Sequence, residues 1–126
     1  MTLFSRKYMP GIAWFFVVLI LICLPDNDLP KPESWMEKVF LEKWVHAGMF
    51  GILAFLFMWP VSKAGYSNAI KWVYFIKIAL ATCLWGLATE FIQKFYIPGR
   101  SVDIMDWAAD TLGIAAAIIY ARKKLL

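Results

Sequence analysis

Four runs of apolar residues divide the chain, over about residues 8–24, 44–61, 72–92 and 104–120, each closed off by charge, proline or glycine. Helices over these runs would be roughly 25 to 32 Å long at about 1.5 Å per residue. That is close to the hydrocarbon thickness of a bilayer, about 30 Å. A backbone in lipid must satisfy its own hydrogen bonds, so such runs are helical. The pattern predicts an all-α, polytopic membrane protein, a bundle of four transmembrane helices in a single domain over 1–126. Between the first two runs lies "PDNDLPKPESWMEKVFLEK". Pro25, Pro30 and Pro32 break helix early in it. From Ser34 onward, Trp35, Met36, Val39 and Phe40 recur among charges at helical spacing. This predicts a short amphipathic helix over about 34–43, lying on the membrane surface. Arg6 and Lys7 precede the first run as in a signal peptide, but the exit "LICLPDND" has no small-x-small cleavage site, so this helix is expected to be retained.

Composition agrees. The 126 residues are 62% hydrophobic, far above the 45–50% or so of soluble domains. A chain this small cannot enclose so much apolar surface in one water-facing core. The net charge of +4 does not indicate nucleic acid, because the basic residues are spread over the ends of the apolar runs and form no patch. Cys23 and Cys83 lie inside apolar runs and show neither metal spacing nor a disulfide framework.

Charge also sets an orientation. With both termini cytoplasmic and four helices alternating, Arg6, Lys7, Lys63, Lys71, Lys77, Arg122, Lys123 and Lys124 fall inside. Only Lys31, Lys38, Lys43, Lys94 and Arg100 fall outside, as the positive-inside rule expects. All nine acidic residues fall on the outer side. Trp35, Trp44 and Trp107 mark the outer boundary, and Trp59, Trp72 and Tyr120 the inner one.

The outer ends of the last two runs carry unusual chemistry. Three- and four-residue steps return to one helix face, so Asp103, Asp106, Asp110, Gly113 and Ala117 form one stripe, and Ala79, Cys83, Gly86 and Glu90 another, with Gln93 above it. Small residues let membrane helices approach closely, so the third and fourth helices are expected to pack along these stripes. The second run opens with "EKWVHAGMF", which places Glu42 and His46 one turn apart at a similar depth. Simpler roles exist for each residue. Asp103 and Asp106 would complement a helix N-terminus capped by Ser101, Arg100 and Lys77 would snorkel, and His46 would be a structural hydrogen-bonder. As a set they weigh more, because a charge at the bilayer centre costs roughly 2.5–3.5 kcal/mol on insertion scales. Arg100 is the obvious counter-charge for the carboxylates.

In these residues the chain resembles the VanZ-like family of small bacterial membrane proteins. That family has an acidic-Lys-x-x-His motif, here "EKWVH" from Glu42 to His46. Glu-x-x-Gln follows at Glu90 and Gln93, then a Pro-x-Arg turn at Pro98 and Arg100. Last comes Asp-x-x-Asp-x-x-x-Asn-x-x-Gly, here Asp103, Asp106, Asp110 and Gly113. The likeness runs from about Glu42 to Ala117. Glu42 stands where Asp is commoner, and Asp110 where Asn is common. The resemblance implies a multi-pass protein of the bacterial cytoplasmic (inner) membrane. It also implies a link to susceptibility to the glycopeptide antibiotic teicoplanin, the trait of the family's named member.

Three readings of function follow. In the first, Glu42, His46, Glu90, Gln93, Arg100, Asp103, Asp106 and Asp110 form a ligand-binding site at the outer face for an envelope lipid or glycopeptide-type ligand. In the second, the protein is a membrane enzyme acting on a lipid or phosphoester, with His46, Glu90 and Asp106 as catalytic candidates. No Ser/His/Asp triad, HExxH or phosphate-cradling glycine loop supports it. In the third, the polar network only locks the helices together. No cofactor is indicated other than, at most, a divalent metal, and a carboxylate-rich set suits Mg²⁺ or Mn²⁺ better than zinc. The expected partners are membrane lipids and that ligand, with no nucleic acid; oligomeric state is left open.

Overall fold

Each apolar run becomes a helix. The computed structural model describes residues 6–23, 35–97 and 104–126, with side chains from 41 onward in the second stretch. A 3₁₀ turn at Arg6–Tyr8 leads into α1 (Met9–Ile22); α2 is Trp35–Ser62, α3 Asn68–Tyr96 and α4 Ile104–Leu125. Pro10 sits in the first turn of α1, where a missing N–H costs nothing. Ser67 caps α3 by accepting from the Ile70 amide at 3.3 Å. The Lys71 ammonium closes the other side of that turn, donating to the terminal α2 carbonyl of Ser62 at 2.8 Å.

Among the described residues, Leu41–Ser62, Asn68–Tyr96 and Ile104–Leu125 are long and apolar enough to cross a membrane. The fourth expected span, α1, has 14 described residues, or about 21 Å, and the residues on either side of 6–23 lie outside those described. Large apolar side chains face outward along the bundle, among them Phe16, Ile20, Leu80, Leu84, Leu112 and Ile119. In water such a surface would be a liability; in lipid it is the normal exterior.

The surface helix expected over 34–43 is not a separate element. It is the beginning of α2, which runs unbroken from Trp35 to Ser62. No glycine or proline stands between Ser34 and Pro60 except Gly48 and Gly51, and neither interrupts a helix whose neighbours hold it. Trp35, Met36, Val39 and Phe40 therefore continue the same spiral as His46.

The helices alternate in direction, and α2 touches all the others. Its Phe50, Leu53, Ala54, Met58 and Val61 are buried with Val18 and Ile22 of α1, Phe75 of α3, and Ile114, Ala117 and Ala121 of α4. At one end lie Lys63, Lys71, Arg122, Lys123 and Lys124, with Arg122 over the Trp72 ring at 4.6 Å. At the other lie the α1 C-terminus, the α2 N-terminus, the α3 C-terminus and the α4 N-terminus. The side chain of Gln93 ties two of these together, donating to the Ile22 carbonyl at 3.1 Å.

Both small-residue stripes face inward, but their partners differ from the expected pairing. The α3 stripe does meet α4: Trp107 Nε1 donates to the Cys83 carbonyl at 3.0 Å, and Cys83 Sγ is 3.5 Å from Thr111 Oγ1. Gly113 faces α2 instead. A Cβ on Gly113 would collide with the Ala47 backbone, and one on Gly51 would lie 2.9 Å from the Gly113 carbonyl oxygen. Ala47 and Gly51 form a small-x-x-x-small pair of their own, and α2 and α4 meet backbone to backbone there.

Candidate functional site

The close crossing of α2 and α4 fixes the geometry above it. Ala47 and Gly113 hold the axes together; His46 directly precedes Ala47 and Lys43 stands one turn before it, while Asp110 and Asp106 stand about one and two turns before Gly113. His46 Nδ1 lies 2.9 Å from Asp110 Oδ1. An ionised carboxylate only accepts, which puts the proton on Nδ1. The second ring nitrogen, Nε2, is 3.6 Å from Asp106 Oδ2. His46 is thus held between two aspartates one helical turn apart. Lys43, three residues before it on α2, forms an ion pair with Asp106.

Glu90 enters from α3. It is fully buried, and one ligand atom each from His46, Glu90 and Asp110 lie within 4.8 Å of one another. Glu42, His46 and Asp106 form a second such group, sharing the histidine. Gly86, one turn below Glu90, leaves room for the Asp110 carboxylate: a Cβ there would lie 3.1 Å from Asp110 Oδ2. That oxygen is buried and has no hydrogen-bond partner among the described residues. Burying carboxylates away from water carries a large desolvation cost unless they are paired, and here Glu42, Glu90, Asp106 and Asp110 gather around His46, with Lys43 paired to Asp106. Either of the two three-residue groups has the donor chemistry to hold a divalent metal.

A family model described as VanZ/LLP1 matches residues 5–125. The chain belongs to this family. No curated protein and no solved structure matches it. Taken with the three apolar helices, membership makes the chain a VanZ-like integral membrane protein.

Of the residues marked on sequence, this VanZ/LLP1 chain brings together Glu42, His46, Glu90, Asp106 and Asp110. Gln93 is buried on the same α3 face, but its amide is engaged by the end of α1. Arg100 and Asp103, with Pro98 and the capping Ser101, lie outside the described residues. Among the described residues Asp106 is paired with Lys43; the expected Asp106–Arg100 pairing lies outside the described residues. Sequence reasoning passed over Lys43 as a site residue, although it stands inside "EKWVH" three residues before His46, on the same helix face. The Ala47–Gly51 pair was likewise missed, and its four-residue spacing was the available signal.

Proposed function

We propose that this protein sits in the bacterial cytoplasmic membrane with both termini inside, and that the His46 cluster faces outward and recognises the polar part of an envelope ligand. The ligand class is a lipid headgroup, a lipid-linked precursor or a glycopeptide such as teicoplanin. One observation carries the reading: ionisable side chains from three helices converge on a buried histidine held between Asp106 and Asp110. Packing does not require them, because α2 and α4 already meet through Ala47, Gly51 and Gly113 just below. A network that the crossing does not need, and whose desolvation is costly, is better explained by a ligand than by scaffolding.

The decisive experiment expresses wild type and Asp106→Asn in a teicoplanin-susceptible host, with protein level and co-purifying lipid measured beside susceptibility. Asp106→Asn is expected to accumulate normally and to lose the shift in susceptibility or the retained lipid. A variant that vanishes from the membrane favours the scaffold instead. A wild-type protein that neither shifts susceptibility nor retains lipid above background overturns the reading.

A second reading rests on the same dyad. With Nδ1–H directed at Asp110, His46 presents Nε2 as a proton acceptor, the arrangement general acid–base chemistry uses. Loss of turnover without loss of ligand retention in His46→Gln would favour it.

Orientation is tested separately. With Cys23 and Cys83 replaced by alanine, Ser67→Cys in the exposed α2–α3 turn is expected to resist a membrane-impermeant thiol reagent in intact cells and to react after lysis. Labelling from outside would invert the topology and place the cluster in the cytoplasm.

A further inference from the structure

We infer that His46, Glu90 and Asp110 form a divalent-cation site, with one ligand from each of α2, α3 and α4. Donor atoms of all three lie within 4.8 Å of one another. Opposite ligands on one cation stand about 4–5 Å apart when metal–ligand bonds are about 2.0–2.5 Å long, so small side-chain rotations suffice to close the shell. All three residues are buried, and a cation bound through the ring nitrogen that faces Asp110 takes the place of the Nδ1 proton, which is released on binding. The independent sign of a ligand is Asp110 Oδ2, buried without a hydrogen-bond partner among the described residues and packed against Gly86, which offers it no polar side chain. A buried polar atom of this kind calls for an unseen partner such as an ion.

The neighbouring group of Glu42, His46 and Asp106 is the weaker candidate. Asp106 is already neutralised by the Lys43 ammonium, which would also repel a second cation beside it. Lys43 instead relieves the crowding at Asp106. A mixed set of one imidazole and two carboxylates, with the remaining positions open, accepts Mn²⁺ or zinc more readily than Mg²⁺. Its open positions would attract phosphate or carboxylate oxygens, which the carboxylate cluster alone would repel. That last step rests on the headgroup reading above; the cation site does not.

The test uses the full-length protein in nanodiscs, purified through a histidine-free tag and stripped with chelator, then titrated with Mn²⁺ by calorimetry. One Mn²⁺ per chain is expected, and Glu90→Gln and Asp110→Asn should each weaken binding at least tenfold while eluting as folded protein. The chain has a single histidine, so spin-echo spectroscopy of bound Mn²⁺ in the wild type should show an imidazole ¹⁴N coupling, whatever the variants do. Absence of saturable binding of Mn²⁺ and of Zn²⁺, binding undiminished in both folded variants, or bound Mn²⁺ without nitrogen coupling overturns the site. Mn²⁺ binding together with unchanged ligand retention in Asp106→Asn would leave the cation site standing and remove the headgroup reading. The reverse pair of results would do the opposite.

Discussion

Gly113→Leu is expected to prevent stable accumulation of the protein. The obstacle at this position is backbone: the first added carbon would fall on the Ala47 carbonyl. A side chain in the way can rotate, whereas a helix backbone can give way only by moving the whole helix. Overpacking a core costs about 1–3 kcal/mol and occasionally more. A backbone-to-backbone crossing belongs at or above the top of that range, a large part of the roughly 5–15 kcal/mol that holds a domain folded. Separating α2 from α4 would also pull His46 away from Asp106 and Asp110. Gly113→Ala should therefore already lower the thermal midpoint in detergent, with Gly113→Leu nearly absent from the membrane. Gly48 is the control. A Cβ there would meet nothing within 4 Å, so Gly48→Ala should be neutral or stabilising, by up to about 1 kcal/mol from helix propensity. Equal midpoints for Gly113→Ala and wild type would mean that the crossing is looser than the structure has it.

His46→Leu is expected to be destabilising, for an electrostatic reason. The imidazole is the hydrogen-bond partner of Asp110 and faces Asp106, and both aspartates are buried. Leucine fills much of the volume but leaves two carboxylates facing an apolar side chain. Removing one partner of a buried pair costs about 3–5 kcal/mol, chiefly because the other charge is left uncompensated. That origin makes a second prediction inside the first. Asp110→Asn should be destabilising by itself but should recover stability in the His46→Leu background, with a coupling of about 0.5–3 kcal/mol in a double-mutant cycle. Reversible unfolding in mixed detergent micelles measures all four corners. Should His46→Leu cost no more than an exposed swap such as Leu112→Ala, the histidine is not what compensates the aspartates.

These two predictions also mark where the sequence was readable. The apolar runs located four helices because hydrocarbon imposes one solution on a backbone. Helical periodicity put Glu90, Asp106, Asp110 and Gly113 on inward faces, because steps of three and four residues are local geometry. Which face meets which is a different kind of information. Gly113 was matched to the α3 stripe, since α3 and α4 adjoin in sequence and both carry small residues. Its true partner, Ala47, lies 66 positions away, and nothing local distinguishes one small-residue stripe from another. For the same reason the place of His46 among the carboxylates was only a possibility in the sequence and becomes a contact in the fold. The start of α2 was misread for a more avoidable reason. Glu37, Lys38, Glu42 and Lys43 look like a separate surface helix when judged by polarity, yet no breaker residue separates them from Trp44. Polarity ends a membrane span without ending a helix.

That unbroken helix has a mechanical consequence. At 28 residues, α2 is about 42 Å long, against a hydrocarbon slab of about 30 Å. Roughly two of its turns must therefore stand clear of the slab or be taken up by tilt, and they share one rod with Glu42, Lys43 and His46. Leverage applied at Trp35 is delivered to the imidazole through backbone hydrogen bonds alone, with no hinge to absorb it. The end of α2 is accordingly a handle on the site: whatever grips or pushes it turns His46 against Asp106 and Asp110, about the pivot where Gly51 meets Gly113.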